Sequence, residues 1–266
     1  SETNIKEIFI PPHVSNIDKF AFYLCTYLEI VEIPANSELQ SIGEYAFSGT
    51  NIKEIFIPPH VSTIDKYAFD SCAYLEIVEI PANSELQSIG EFAFSGTNIK
   101  EIFIPQKVKK LDRRIFDTNQ MQRIDISRDN SNFIMKDERY LLSKSDPESD
   151  NFDVLVFVIG NPSETQIPSN IKIISSYAFY GCINMTTVTI STNSELQSIG
   201  EYAFSETNIK EIFIPPHVSN IDKFAFYLCT YLEIVEIPAN SELQSIGEYA
   251  FSGTNIKEIF IPPHVS

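Results

Sequence analysis

Short apolar strings punctuate the chain. NIKEIFIP begins at Asn4, Asn51, Asn98, Asn208 and Asn255, and LEIVEIP begins at Leu28, Leu75 and Leu232, with TTVTI at Thr186 a looser copy. Within each string the apolar positions fall as L-x-x-L-x-L. The last two alternate with polar or exposed residues at the two-residue period of a strand. Between the strings lie Ile-x-x-x-Ala-Phe-like segments opening at Ile17, Ile42, Ile64, Ile89 and Leu111, which are 25, 22, 25 and 22 residues apart. A unit this short cannot bury a core alone, so each must lean on the next. Self-similarity at periods of about 20 to 50 residues is the signature of a solenoid, and L-x-x-L-x-L at about 20 to 29 residues is that of a leucine-rich repeat. The repetition is close to literal, since Ser1–Ser62 is identical to Ser205–Ser266.

The predicted fold is therefore a parallel β-sheet solenoid, one repeat domain spanning 1–266, with short helical turns or second strands on the convex side. About eleven strand rungs at ~4.8 Å spacing predict a body on the order of 50 Å long. Pro11-Pro12, Pro58-Pro59, Pro215-Pro216 and Pro262-Pro263 end strands, because proline cannot donate to a ladder. If the consensus positions point inward, the intervening ones line the concave sheet in three columns. The first runs Lys6, Glu29, Lys53, Glu76 and Lys100; the second Glu7, Ile30, Glu54, Ile77 and Glu101; the third Phe9, Glu32, Phe56, Glu79 and Phe103. Phe213, Glu236 and Phe260 resume the third column later.

The repeated Ala-Phe pairs, Ala21-Phe22, Ala46-Phe47, Ala68-Phe69, Ala93-Phe94, Ala178-Phe179, Ala203-Phe204, Ala225-Phe226 and Ala250-Phe251, each precede a strand string. On that pattern the chain resembles the BspA-like leucine-rich repeat family over nearly its whole length. The resemblance implies a surface-exposed or secreted protein of bacteria or protozoa, tied to adhesion to host or extracellular-matrix proteins, without enzymatic activity or cofactor. It carries over no ligand contact residue by residue.

One stretch breaks the pattern. LDRRIF replaces the usual IDKYAF at Leu111, and the distance from MQRIDI to the next Ile-Pro, Ile167-Pro168, is much longer than elsewhere. FIMKDERYLLSKSDPESDNFDVLVFVIG reads as strands broken by turn-prone KDER and SDPESDN, so a hairpin-like insertion is predicted over 132–161. Its apolar VLVFVI strand is expected to pack on the array, and its acidic tip to stay in water.

Charge narrows the partners. With 36 acidic against 19 basic residues the net charge is −17, which disfavours nucleic acid and anionic membrane. No run of 18 apolar residues suggests insertion into a membrane. Cys25 and Cys72 stand one 47-residue unit apart, as do Cys182 and Cys229. Each pair then lies two rungs, ~9.6 Å, apart, beyond the roughly 7 Å reach of a disulfide. Four buried free thiols are expected. His13, His60, His217 and His264 recur at one turn position, too far apart to share a metal ion. Asp146, Glu148 and Asp150 alternate as in a calcium loop but lack its glycine and closing glutamate, which favours a solvated turn. Asn184-Met185-Thr186 is the single N-x-Thr acceptor.

Paired carboxylates in the second and third columns would suit hydrolytic chemistry, but a catalytic centre is one asymmetric constellation and these recur along the stack. The reading is a non-catalytic monomer that binds a protein partner through Phe9, Phe56, Phe103, Phe213 and Phe260 with Glu32, Glu54, Glu79 and Glu101. The competing reading is a passive spacer, in which those phenylalanines pack over neighbouring Lys and Glu stems.

Overall fold

The computed structural model describes residues 4–117, 120–262 and 265. The chain divides into two compact units, Ser1–Glu138 and Arg139–Ser266, and each is built on the same principle.

In the first unit six turns contribute a longer strand, and the first five of them a shorter one as well. The longer ones are Glu7–Phe9, Ile30–Glu32, Glu54–Phe56, Ile77–Glu79, Glu101–Ile104 and Arg123–Ile126. They pair in parallel in twos, with Glu7 opposite Ile30, Glu54 opposite Ile77 and Glu101 opposite Arg123. Ile30–Glu32 then lies against Glu54–Phe56, and Ile77–Glu79 against Glu101–Ile104. The shorter strands, from Asn16–Ile17 through Ser41–Ile42, Thr63–Ile64 and Ser88–Ile89 to Lys110–Leu111, form a continuous five-stranded parallel sheet. Ile17, Ile42, Ile64, Ile89 and Leu111 stand in one register. Between the two ladders the consensus residues, Leu28, Ile55, Ile57, Leu75 and Ile102 among them, are buried.

The predicted helical turns are not there: none of the described residues is helical. The backbone N–H groups of the Ala-Phe segments explain why. Ala21, Tyr23 and Cys25 donate locally, to the carbonyls of Asp18, Phe20 and Phe22, whereas Phe20, Phe22 and Leu24 donate across to Glu44, Ala46 and Ser48 of the next turn. A helix would keep all of these bonds inside the segment; here every second one joins neighbouring turns. The alternation forces the first aromatic residue of each segment into the left-handed region, with φ of 60° at Phe20, 54° at Tyr45, 59° at Tyr67 and 56° at Phe92. That conformation costs about 1 to 2 kcal/mol for a residue with a Cβ.

Ring stacking offsets the cost. Phe20, Tyr45, Tyr67 and Phe92 form one pile at 4.6–5.2 Å centroid spacing, and Arg114 covers the Phe92 ring at 5.7 Å. A second, inner pile joins Phe22, Phe47, Phe69, Phe94 and Phe116 at 5.2–5.7 Å. Such pairs contribute roughly 0.5–1.5 kcal/mol each beyond burial. The turns approach so closely that a Cβ added at Gly90 would meet the Lys66 amide nitrogen at 2.4 Å.

The second unit repeats the scheme with longer strands Glu164–Ile167, Thr187–Ile190, Glu211–Phe213, Ile234–Glu236 and Glu258–Ile259. What starts it is different. The predicted insertion is a hairpin, Tyr140–Ser143 antiparallel to Val154–Val158, and it is no side excursion. Val154–Val158 runs parallel to Ile173–Ile174, pairing Val154 with Ile173 and Leu155 with Ile174, and so takes the place of a short strand ahead of Ser198–Ile199, Asn220–Ile221 and Ser245–Ile246. All five residues of Val154–Val158 are buried. Asp153 anchors the hairpin: its buried carboxylate accepts from the Ser145 amide at 2.8 Å and the Ser145 hydroxyl at 2.8 Å, and pairs with Lys172 at 3.1 Å. Ser145, although exposed, is therefore tied to the docked part, and the residues after it form the untethered tip.

Candidate functional site

The register of the longer strands decides what the first unit presents. Because side chains alternate along a strand, Ile8, Val31, Ile55, Val78 and Ile102 turn toward the core while their neighbours turn out. Phe9 stands opposite Glu32, and Phe56 opposite Glu79. The offset of two residues between columns then sets Phe9, Ile30, Phe56, Ile77 and Phe103 on one zigzag, and Glu7, Glu32, Glu54, Glu79 and Glu101 on the complementary one. Phe9 is 58% exposed and Ile77 56%. Phe56 and Phe103 are half-buried between their neighbours, and Glu32, Glu54, Glu79 and Glu101 are exposed.

Five of the predicted residues, Phe9, Glu32, Glu54, Phe56 and Glu79, line one open recess of about 400 Å³, together with Ile77 and Pro34. Phe103 and Glu101 continue the pattern one turn further on. There Arg123 stands where alternation would place isoleucine, and it pairs with Asp125 at 2.9 Å, which ends the checkerboard. In the second unit Phe213 faces Glu236 and Phe260 is 57% exposed, but the preceding turns carry Thr187 and Thr189 opposite Glu164 and Gln166. The structure thus gathers the first unit's candidates on one face and leaves Phe213 and Phe260 on a shorter patch of the second.

Beside this face runs the charge ladder. Lys53 meets Glu29 at 3.5 Å, and Lys257 meets Glu233 at 3.0 Å. Exposed pairs of this kind contribute about 0–1 kcal/mol and fix register more than they stabilise.

The isoleucines Ile30, Ile77 and Ile234, 49–56% exposed, add to the apolar positions; the sequence places them in the second outward column, but only phenylalanines and glutamates were counted as binding residues. The signal was present, since a β-branched residue at an outward position recurs every 47 residues. A second recess, about 700 Å³ and lined by Arg123, Ile126, Arg128, Phe133 and Met135, lies where the repeat breaks off. It was not anticipated, because its wall forms only when Phe133–Lys136 folds back beside Arg123–Ile126.

No disulfide joins the four cysteines, but only Cys72, Cys182 and Cys229 are buried; Cys25, on the first described turn, is half-buried. Burial pushes the thiols of Cys72 and Cys229 up to about 11 and that of Cys182 to about 12. Cys72 and Cys229 each donate to a backbone carbonyl, of Phe47 at 3.1 Å and of Phe204 at 3.0 Å. His217 pairs with Glu242 at 3.1 Å, and His264 lies outside the described residues. Among the described residues no three His, Cys, Asp or Glu side chains converge as a metal site, and no helix is long and apolar enough to cross a membrane.

The BspA type leucine rich repeat region model matches six copies over residues 1–125 and 156–266. The chain belongs to that family. The match breaks off after residue 125 and resumes at 156, inside the second hairpin strand, Val154–Val158. Three solved structures share the fold of this BspA-type array. The pneumococcal vaccine antigen PcpA is 21% identical, with 98% of this chain and 73% of that one covered and a TM-score of 0.77. A leucine rich cell surface protein from Faecalibacterium prausnitzii A2-165 is 23% identical, covering 97% and 89%, with a TM-score of 0.64. A leucine-rich repeat protein from Eubacterium ventriosum ATCC 27560 is 18% identical, covering 98% and 80%, with a TM-score of 0.61. No curated protein matches the chain in sequence.

Proposed function

We propose that this BspA-type array is a non-catalytic binding protein, displayed at the cell surface or secreted, that attaches to a host or extracellular-matrix protein. The observation that carries the reading is the first unit's outward checkerboard, in which exposed Phe9, Ile30 and Ile77 and half-buried Phe56 and Phe103 alternate with regularly placed carboxylates. The rungs need only their inward positions to fold, and exposed apolar tracks of this kind mark interaction surfaces. The localisation follows the company the chain keeps, a vaccine antigen and a cell surface protein. Aromatic anchors ringed by charge suit a protein partner whose basic groups are drawn in by the glutamates.

The half-burial of Phe56, Phe103 and Phe213 supports the rival spacer reading, in which they merely cover their neighbours' stems. Phe56→Ser with Phe103→Ser separates the two. Both side chains lie outside the core, so the melting temperature should stay within a few degrees. Attachment to immobilised matrix proteins should weaken about tenfold or more, because contacts repeated along an array multiply. Wild-type attachment by the folded double variant would leave the spacer.

A further inference from the structure

We propose that the first unit's face takes a cationic segment in the polyproline-II conformation, laid along the stack and presenting one basic and one apolar position in every three residues. The inference rests on the reading of that face as a binding surface, and it specifies the shape and charge of what binds.

The argument is one of commensurate periods. The face does not repeat with every turn; it repeats with every second turn, because Phe9, Phe56 and Phe103 alternate with Glu32 and Glu79 in the same column. Two rungs span about 9.6 Å. A polyproline-II helix turns once in three residues and advances about 9.3 Å in doing so. Every third side chain of such a segment therefore meets an equivalent position of the face, with a mismatch of only about 0.6 Å accumulated from Phe9 to Phe103.

Other regular segments fit worse. A heptad of α-helix advances about 10.5 Å and would drift by about 1.8 Å over the same distance. A β-strand covers three residues in about 10 Å, but its side chains alternate faces, so the third residue points away. Chemistry selects in the same direction as spacing. Proline rings are rigid and apolar and suit the clefts between Phe9, Ile30, Phe56 and Ile77, and a segment already extended loses little conformational entropy on binding. Glu7, Glu32, Glu54, Glu79 and Glu101 call for a lysine or arginine at each period.

Lys6, Lys53 and Lys100 flank the track, Lys53 meeting Glu29 at 3.5 Å; among the described residues of the two Phe/Ile–Glu columns themselves the first cation is Arg123, whose pairing with Asp125 closes the track. The track is thus about five turns long and matches a segment of roughly six residues in contact. In the second unit the threonine and glutamine turns leave only the rungs from Glu211 onward, too short a track for the same register to accumulate.

The test uses the full chain and fluorescein-labelled (Pro-Pro-Lys)5 at low salt, read by anisotropy. Binding should be at least tenfold tighter than that of (Gly-Ser-Lys)5, which carries the same charge on a flexible backbone, and (Pro-Pro-Glu)5 should not bind. Phe56→Ser with Phe103→Ser should weaken (Pro-Pro-Lys)5 about tenfold or more, while Phe213→Ser should change it less than twofold. Equal binding of the two lysine peptides, or indifference to the Phe56 and Phe103 changes, would overturn the proposal. If (Pro-Pro-Lys)5 neither binds nor competes while matrix-protein attachment still depends on Phe56 and Phe103, the segment is wrong and the binding face stands. Loss of neither function in the double variant sinks both.

Discussion

The same 62 residues begin the first unit and end the second, and they do not have the same interior. Phe226 is fully buried, stacked between Phe204 at 5.2 Å and Phe251 at 5.1 Å, whereas its counterpart Phe22 is half-buried with Phe47 on one side only. Cys229 is buried and Cys25 is half-buried; Ala225 is buried and Ala21 is exposed. Identical sequence therefore does not mean identical core. The difference is the turn Thr187–Glu206, which lies against the second copy and has no counterpart among the described residues ahead of the first. A rung's interior is made by its neighbour, which is what nearest-neighbour stability in repeat proteins amounts to at the level of single side chains.

The largest test of that contrast is paired truncation. Phe226→Ala should destabilise the second unit by about 3–5 kcal/mol, because both ring faces lose their partners and a cavity remains. Phe22→Ala should cost about half as much or less, read from urea unfolding of the two variants. Equal costs would show that stacking on one side suffices and that the preceding turn contributes little.

The start of the second stack sharpens the comparison differently, since a hairpin and not a repeat covers it. Asp153 is buried, which by itself raises its carboxyl, but the Ser145 hydrogen bonds and Lys172 outweigh burial and hold it below the ordinary carboxylate range. A depressed carboxyl contributes stability that is present above its unfolded value, near pH 4, and is lost as pH falls through the folded one. Asp153→Asn should cost about 1–3 kcal/mol at pH 7, and the gap to wild type should narrow on acidification toward pH 3. Melting curves across pH 3–7 check this, and a gap that widens in acid would refute it. Removing Asp146–Asp150 while keeping Ser145 should leave stability nearly unchanged.

The smallest effect is chemical. Thiol alkylation proceeds through the thiolate, and Cys229 with its thiol near 11 is also shielded. The surrounding peptides are identical, so the comparison needs single-cysteine variants retaining Cys25 or Cys229. Native-state iodoacetamide labelling at pH 8 should be at least tenfold faster at Cys25. Equal rates would mean that the two turns open alike.

Much of this architecture was legible in the spacing of apolar residues. The second and third outward columns stand where the two-residue alternation places them, and Ile17, Ile42, Ile64, Ile89 and Leu111 align as the interval of about 23 residues requires. The Ala-Phe segments were harder, because a run such as Ile-Asp-Lys-Phe-Ala-Phe has helical propensity in isolation. Only bonds from Phe20, Phe22 and Leu24 to another turn reveal why it forms a chain of turns and not a helix. The hairpin's strands were readable, but not that Val154–Val158 replaces a short strand, since pairing with Ile173 depends on distant geometry. Of the candidate face, the phenylalanines were legible as outward aromatics and Ile30 and Ile77 as outward members of the second column; that the two sets join in one zigzag required the pairing of Phe9 with Glu32 and of Phe56 with Glu79.

The bonds that join turns run from backbone to backbone, from Phe20 to Glu44, Phe22 to Ala46 and Leu24 to Ser48, and so are indifferent to which side chains arrive. By that rule alone, recombination between repeats would add or delete a single turn at will. The Lys–Glu ladder and the Phe–Glu alternation disfavour it: losing one turn would set Lys6 beside Lys53 and Phe9 beside Phe56, like against like. The heritable quantum of growth is therefore two turns, 47 residues, the interval that separates Asn4, Asn51 and Asn98. A lineage can lengthen or shorten its array in those steps and keep the same face, so that reach evolves independently of what is grasped.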